Sequence, residues 1–345
     1  MREYLRREHS IGVKSLMVLT QSSLTERYKE QGYVIVEGLI DADQDLEPII
    51  SEYKDLLDTL ASQKYKDGII SSTYSTLPFG HKLAAILNEA GAEFYQNMEI
   101  SLPQRGVLTG TPIHHGPATF NLLRNPNILD AVEEFIGPEI FSNPVQHIRI
   151  KPPEHLLPEQ HRGPKLFAQT IWHQDQGTVT EEADESEILT VWIPVVDATE
   201  ENGCLTVVPG SHKNGLNVHC DTGIVDKSAP SGTHEIPNRI VGPTRLALPM
   251  KAGDVLFMNK LTMHASLPNV SDGVRWSFDL RYNPTGQPTG RPWFPGFIAR
   301  SRSNPESELR DPEAWAQNWR DARNHLANIE TPEYQRWGSK DPLCG

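Results

Sequence analysis

Residues 274–282, VRWSFDLRY, alternate without a break. Taken as a strand, they send Arg275, Ser277, Asp279 and Arg281 to one side and Trp276, Phe278, Leu280 and Tyr282 to the other, because successive side chains of extended backbone point oppositely. Such a strand fits either an ordinary surface strand with its aromatic face packed inward, or a strand whose polar side lines a cavity. In the second case an arginine grips a carboxylate, a task that suits a guanidinium fork better than an ammonium. Further short runs accompany it: PVQHIRIKPP, AQTIWHQDQGTV, ILTVWIPVVDA, CLTVVPGSH and DVLFMNKLTMHA, separated by Gly, Pro, Asn and Asp. Short strands with turn signals between them predict a sandwich or barrel. Asn202-Gly203 predicts a tight type I′ hairpin.

The remainder reads as helix placed around those runs. LTERYKEQ at 24–31 predicts a short helix that Gly32 ends, ahead of the β-branched run YVIVEGLI. Apolar spacing predicts amphipathic helices over 43–62 and 127–137, and DPEAWAQNWRDARNHLAN predicts another, with Trp315 and Trp319 on a packed face. No internal repeat or low-complexity linker is evident. One domain, 1–345, is expected, with a mostly helical part over 1–135, a β core over 140–285 and an extension over 286–345 that carries a helix.

Composition narrows the function classes. A formal charge of −13 without a dense Lys/Arg run argues against a nucleic-acid partner and for a small-molecule substrate. No window approaches the roughly 18 apolar residues of a membrane span, and MREYLRREHSIGVKSL lacks a secretory apolar region. Cys204, Cys220 and Cys344 are an odd, scattered set, which predicts neither a disulfide framework nor a thiolate zinc site and suits a reducing cytoplasm.

One triplet within this frame bears chemistry. In IWHQDQGTV, His173 and Asp175 lie two apart, so on a strand they share a face while Gln174 points away. A bare H-x-D/E triplet is weak evidence, since a chain with 13 histidines and 45 acidic residues contains about two by chance. The other one, His219-Cys220-Asp221, sits in the turn-rich NGLNVHCDTG, a poorer setting for a site. His264, 91 residues after His173, follows the apolar run DVLFMN and offers a third ligand from a distant strand. Two histidines and a carboxylate on one face of an octahedron leave positions open, the arrangement suited to non-haem Fe(II) and oxygen.

With these residues in place, the chain resembles the phytanoyl-CoA dioxygenase family of Fe(II)- and 2-oxoglutarate-dependent oxygenases. The resemblance runs from about residue 25, LTERYKEQGYVIVEGLID, through KPPE, IWHQDQG, VWIPVVDATEENGCLTVVPGSHK and HASLPNVSDGVR, to about residue 285. It implies a mainly β fold with helical extensions on a double-stranded β-helix (jelly-roll, cupin-like) core. It also implies iron ligands at His173, Asp175 and His264, and a cosubstrate arginine at Arg275, 11 residues after the distal histidine. Ser266 would share the 2-oxoglutarate carboxylate, and Trp192 would border the cosubstrate. Fe(II), 2-oxoglutarate and O2 are the implied cofactor and cosubstrates, with a C–H bond of a small organic molecule as target. In related halogenases a small residue replaces the carboxylate ligand, so an aspartate at 175 implies hydroxylation or another oxidative outcome.

The linker EHLLPEQHRGPKLFAQT departs from the founding member, no peroxisomal address is visible, and no basic patch awaits the phosphates of a CoA tail. These features weigh against an acyl-CoA substrate. Candidate substrate contacts are His147, Arg149 and Arg281, which alternation alone places on opposite or uncertain sides. A protein with the same three ligands could instead be a non-redox metal-dependent hydrolase or isomerase, or a metal-binding module. Arg275 separates these readings, because only the oxygenase needs a buried guanidinium near its metal.

Overall fold

The computed structural model describes residues 24–162, 169–222 and 234–330, together with 332, 334, 336, 337 and 344. In its first half the elements are α1 (24–31), β1 (Tyr33–Val36), α2 (Glu47–Lys66), α3 (Phe79–Ala90), α4 (Pro117–Leu123), α5 (Pro126–Ile136), β2 (Glu139–Ser142) and β3 (His147–Lys151). Then come β4 (Leu189–Pro194), β5 (Leu205–Val207), β6 (Cys220–Asp221), β7 (His234–Glu235), α6 (Asn238–Val241), β8 (Leu246–Leu248), β9 (Val255–Asn259), β10 (His264–Ser266), β11 (Arg275–Pro284), β12 (Phe297–Ser301) and α7 (Pro312–Leu326).

The alternating strand singled out in the sequence is the centre of the molecule. One edge of β11 pairs with β4, and the other pairs first with β3 and then with β2, all antiparallel. The large sheet runs β1-β9-β4-β11-β2-β12, with β3 also on β11, and a small sheet runs β10-β5-β8. Period two sets the layers. Trp276, Phe278, Leu280 and Tyr282 join Leu189, Val191 and Ile193 of β4 and Val255 and Phe257 of β9 in one core with the helices. In that core Tyr53 of α2 meets the Trp276 ring edge-on at 5.4 Å, and Phe79 of α3 stacks on it at 4.9 Å. The opposite faces, Trp192 of β4 and Leu256 and Met258 of β9, pack on Leu205, Val207 and Leu248 of the small sheet. Helices, large sheet and small sheet thus form three layers, a double-stranded β-helix with the polar side of β11 facing its interior.

Several expectations are corrected. Asn202-Gly203 does not close a hairpin: a type I′ turn needs positive φ at both central residues, and only Gly203 has it, at +94°. The chain passes there from the large sheet to the small one, with the Asn202 side chain accepting the Thr199 N–H at 2.8 Å. Gly203 is required by space, since a Cβ would come within 2.5 Å of the Leu267 carbonyl oxygen. The Pro- and Gly-rich stretch after Arg281 contains a strand, β12, which extends the sheet beyond β2. Cys220 and Cys344, 124 residues apart, form a disulfide with Cα atoms 5.3 Å apart, and Cys204 is free and buried. The cysteine argument for a reducing compartment falls with that bond, because spacing along the chain does not report a pair that folding brings together. No described helix is long and apolar enough to cross a membrane.

Phe278 has no exposed surface and lies in the core shared by sheet and helices. Phe278→Ala is expected to cost about 3–5 kcal/mol in urea denaturation. Leu108→Ala, at a side chain 68% exposed, should stay within about 0.5 kcal/mol of the parent.

Candidate metal centre and its pocket

His264 comes from β10, and His173 is held beside it by a single antiparallel bridge in which each N–H donates to the other's carbonyl at 3.0 Å. The H-x-D segment is therefore not the regular strand its spacing suggested: at Asp175 the chain turns into a short 3-10 stretch, Asp175–Thr178. The three ligands converge all the same. Nε2 of His173 and of His264 lie 3.8 and 3.9 Å from Oδ1 of Asp175, and the donor atoms all fall within 4.8 Å of one another. Gln174 does point away, as expected. Its side chain accepts the Asn217 N–H at 2.7 Å and donates to the carbonyls of Gly215 at 2.8 Å and Leu261 at 2.6 Å.

Hydrogen bonds fix the chemical form of each ligand. Nδ1–H of His173 donates to the Ile171 carbonyl at 2.9 Å, and Nδ1–H of His264 to that of Thr262 at 3.0 Å. Both Nε2 lone pairs are thereby left facing the shared point. Burial, with His264 alongside, drives the His173 imidazole far below its usual range and keeps it a neutral donor. Burial alone would raise the Asp175 carboxyl, but the Arg281 guanidinium holds it well below the ordinary carboxylate range. Arg281 donates to Oδ1 of Asp175 and Thr190 donates to Oδ2, so the carboxylate is gripped from both sides. Two imidazoles presenting Nε2 and an oriented carboxylate, all turned inward, fit a divalent first-row metal.

Behind the ligands the turn is braced by distant residues that sequence reasoning missed. His219, from the rejected triplet, accepts the Gln174 N–H on Nε2 at 2.9 Å and donates through Nδ1 to Asn217 at 2.9 Å. Trp337 stacks on the His219 ring at 4.9 Å and donates to the Gly177 carbonyl at 2.7 Å. Arg336 donates to the Val179 carbonyl at 2.8 Å, and the buried Arg291 donates to that of Thr178. Gly177 is the residue that lets His219 in, since a Cβ there would lie 2.3 Å from the imidazole. No local pattern announces this arrangement, because its members come from three separate segments.

In front of the ligands lies a pocket lined in part by His173, His264, Trp192, Met258 and Arg275. Arg275 is buried, donates to the Ser277 hydroxyl and lies 5.8 Å over the Trp192 ring. Burial pushes its guanidinium down to about 10 although Asp279 opposes the shift. Ser266 is fully buried, with its hydroxyl accepting the Thr170 N–H at 2.8 Å and a bond from Lys151. The register fixes the face on which the three candidate substrate contacts lie. His147 lies opposite Asp279 and Arg149 opposite Ser277, so both share one face with Arg281 and are not split between sides. His147 approaches Glu99 at 3.3 Å, Arg149 pairs with Asp279 at 3.2 Å, and Arg281 holds Asp175.

Two predictions follow from the brace. Gly177→Ala should displace His219 and weaken divalent-metal affinity roughly 10–100-fold by calorimetric titration, whereas Gly110→Ala, with open space at its Cβ, should leave it unchanged. Burial pushes His219 down to about 4, whereas in the unfolded chain it titrates near 6.5. The unfolded state therefore binds the proton first as pH falls, so the stability from neutral His219 is complete above about 6.5 and is lost toward pH 4. The urea midpoint should drop across that window, and less so in His219→Gln.

Comparison with known proteins agrees with this geometry. The family model for phytanoyl-CoA dioxygenase (PhyH) matches residues 28–277. The 1-deoxypentalenic acid 11-beta-hydroxylase of Streptomyces arenae is 26% identical over 285 residues, covering 79% of this chain and 86% of the relative. The peroxisomal phytanoyl-CoA dioxygenase of Bos taurus is 25% identical over 263 residues, covering 75% and 68%. The apo structure of the non-haem monooxygenase ThoJ shares the fold at a TM-score of 0.54 and 18% identity, covering 88% of this chain and 97% of that one. With the match extending over most of its length, the chain belongs to the phytanoyl-CoA dioxygenase (PhyH) family, whose members are 2-oxoglutarate-dependent non-haem iron oxygenases.

Proposed function

We propose that this protein hydroxylates, or otherwise oxidises, a C–H bond of a small organic substrate while 2-oxoglutarate and O2 are converted to succinate and CO2. In the hydroxylation, one oxygen atom enters the product and the other enters succinate. The observation that carries the reading is a cavity lined by His173 and His264, whose donor atoms cluster with that of the buried Asp175, and by a buried arginine, Arg275, that has no ion-pair partner among the described residues. A hydrolytic metal centre has no need of such a guanidinium, whereas a dicarboxylate cosubstrate does. His173, Asp175 and His264 would hold the iron, which when bound supplies the electrons for oxygen activation.

The chain's own residues do the positioning. Arg275, 5.8 Å over the Trp192 ring, receives the far carboxylate of the cosubstrate together with Ser266. Thr190 and Arg281 keep the Asp175 carboxylate in one rotamer, so that the coordination face stays open toward the pocket. Trp192, Leu205 and Met258 line the cavity with apolar surface and limit water. Arg149, which lines the cavity, and His147, on the same face of β3, are the candidate substrate contacts. Of the substrates named for matched relatives, 1-deoxypentalenic acid and phytanoyl-CoA, a compact acid suits a chain of net charge −13 better than a CoA thioester.

Adding Fe(II) and 2-oxoglutarate without oxygen should produce a visible charge-transfer band. Its absence in folded, metal-loaded protein would support the non-redox hydrolase, isomerase or binding module instead. In air, succinate release should rise when the correct substrate is supplied. Arg275→Met should raise the KM for 2-oxoglutarate roughly 30-fold or more, with Fe(II) affinity within about three-fold of the parent.

A further inference from the structure

Lys151 is the buried charge beside Arg275 that the roles above leave unused. It ends β3, has no exposed surface, and lies directly across the ladder from Arg275. A buried ammonium costs several kcal/mol unless an opposite charge or hydrogen bonds offset it, and like charges facing each other across a sheet repel. Among the described residues, no carboxylate comes within ion-pair distance of Lys151 or Arg275. Asp279 is engaged by Arg149 at 3.2 Å, and Asp175 by Arg281. Lys151 donates instead to the hydroxyl of Ser266, while Arg275 bonds Ser277 and leaves its Nε without a partner. Burial, and then the charges of Arg275 and Arg149, push the ammonium well below its usual pKa; Asp279 and Glu154 oppose this only in part. Two cations and a serine hydroxyl, contributed by β3, β11 and β10, thus meet where no protein anion balances them.

We infer that Lys151 is a second cationic anchor for the far carboxylate of 2-oxoglutarate, closing around it together with Arg275 and Ser266. The inference rests on reading this pocket as the 2-oxoglutarate site. A carboxylate offers about four lone-pair positions. The planar fork of Arg275 can take two of them, and a point-like ammonium and a hydroxyl from the neighbouring strands can take the others. The repulsion between the two cations in the empty protein becomes shared attraction once the carboxylate lies between them. Binding affinity is thereby concentrated at the end of the cosubstrate remote from the metal.

The test uses full-length protein loaded with Fe(II) under nitrogen, with dissociation constants read from the charge-transfer band. Two ligands are compared: 2-oxoglutarate and 2-oxobutyrate, which keeps the chelating end and lacks the far carboxylate. Lys151→Met should weaken 2-oxoglutarate about ten-fold or more and 2-oxobutyrate less than about three-fold. Lys151→Gln, which keeps a donor for Ser266 without the charge, should show the same selective loss. In the ligand-free variant, Tm should equal or exceed that of the parent, since an unpaired buried charge has gone, while the rise in Tm on adding 2-oxoglutarate should shrink. An unchanged 2-oxoglutarate constant overturns the inference. So does an equal loss for both acids, which would mean that Lys151 acts by shaping the strand. Parent protein that binds neither acid would instead remove the 2-oxoglutarate reading itself, so the two failures are told apart by the parent alone.

Discussion

Burial of β11 on both faces is the constraint from which the site follows. An aromatic face facing helices is stable by apolar contact alone, but a polar face enclosed between two sheets must find a partner for every charge it carries. Arg149 with Asp279 and Arg281 with Asp175 satisfy part of that demand within the protein. Arg275 is left to a neutral hydroxyl, and the cavity opens beside it. The pocket is therefore better described as an incompletely neutralised seam between sheets than as a gap in an oily core. Its deficit is negative charge, which is what a dicarboxylate brings.

The ligand set shows how an irregular segment can present metal donors with the definition of a rigid one. His173 is tied to β10 by one bridge, and Asp175 already belongs to a turn. Neither has the support of a continuous ladder, so side chains and loop carbonyls supply it. Thr190 and Arg281 fix the carboxylate, the Ile171 and Thr262 carbonyls fix the imidazoles, and Gln174 locks the turn from behind. Removing any of these would leave the donors present but free to rotate, and metal affinity depends steeply on that freedom.

What was legible in the sequence is what period two encodes. The faces of β11 follow from alternation, and a helix ends at Gly32, where φ is +83°. Lys151 went unread in HIRIK, because only the register of β3 on β11 brings it opposite Arg275. Register decides which charges meet, and register depends on the whole sheet. The Cys220–Cys344 bond, the stacking of Trp337 on His219 and the strand at Phe297–Ser301 were hidden for a related reason. Each is a contact between distant segments with no local periodicity of its own. Asn202-Gly203 misled because a dipeptide permits a turn without choosing which strands it connects.

The brace formed by His219, Trp337 and Arg336 carries one more implication. Stabilisation between two groups is mutual: whatever favours the ordered turn at Asp175 favours, by the same free energy, the docked indole that rests against it. An ion settling among the three ligands would then be felt by a tryptophan far along the polymer, and loss of the ion would loosen that ring's hold. The emission of a single aromatic side chain, outside the chemistry altogether, would become a gauge of whether the centre is charged with its metal.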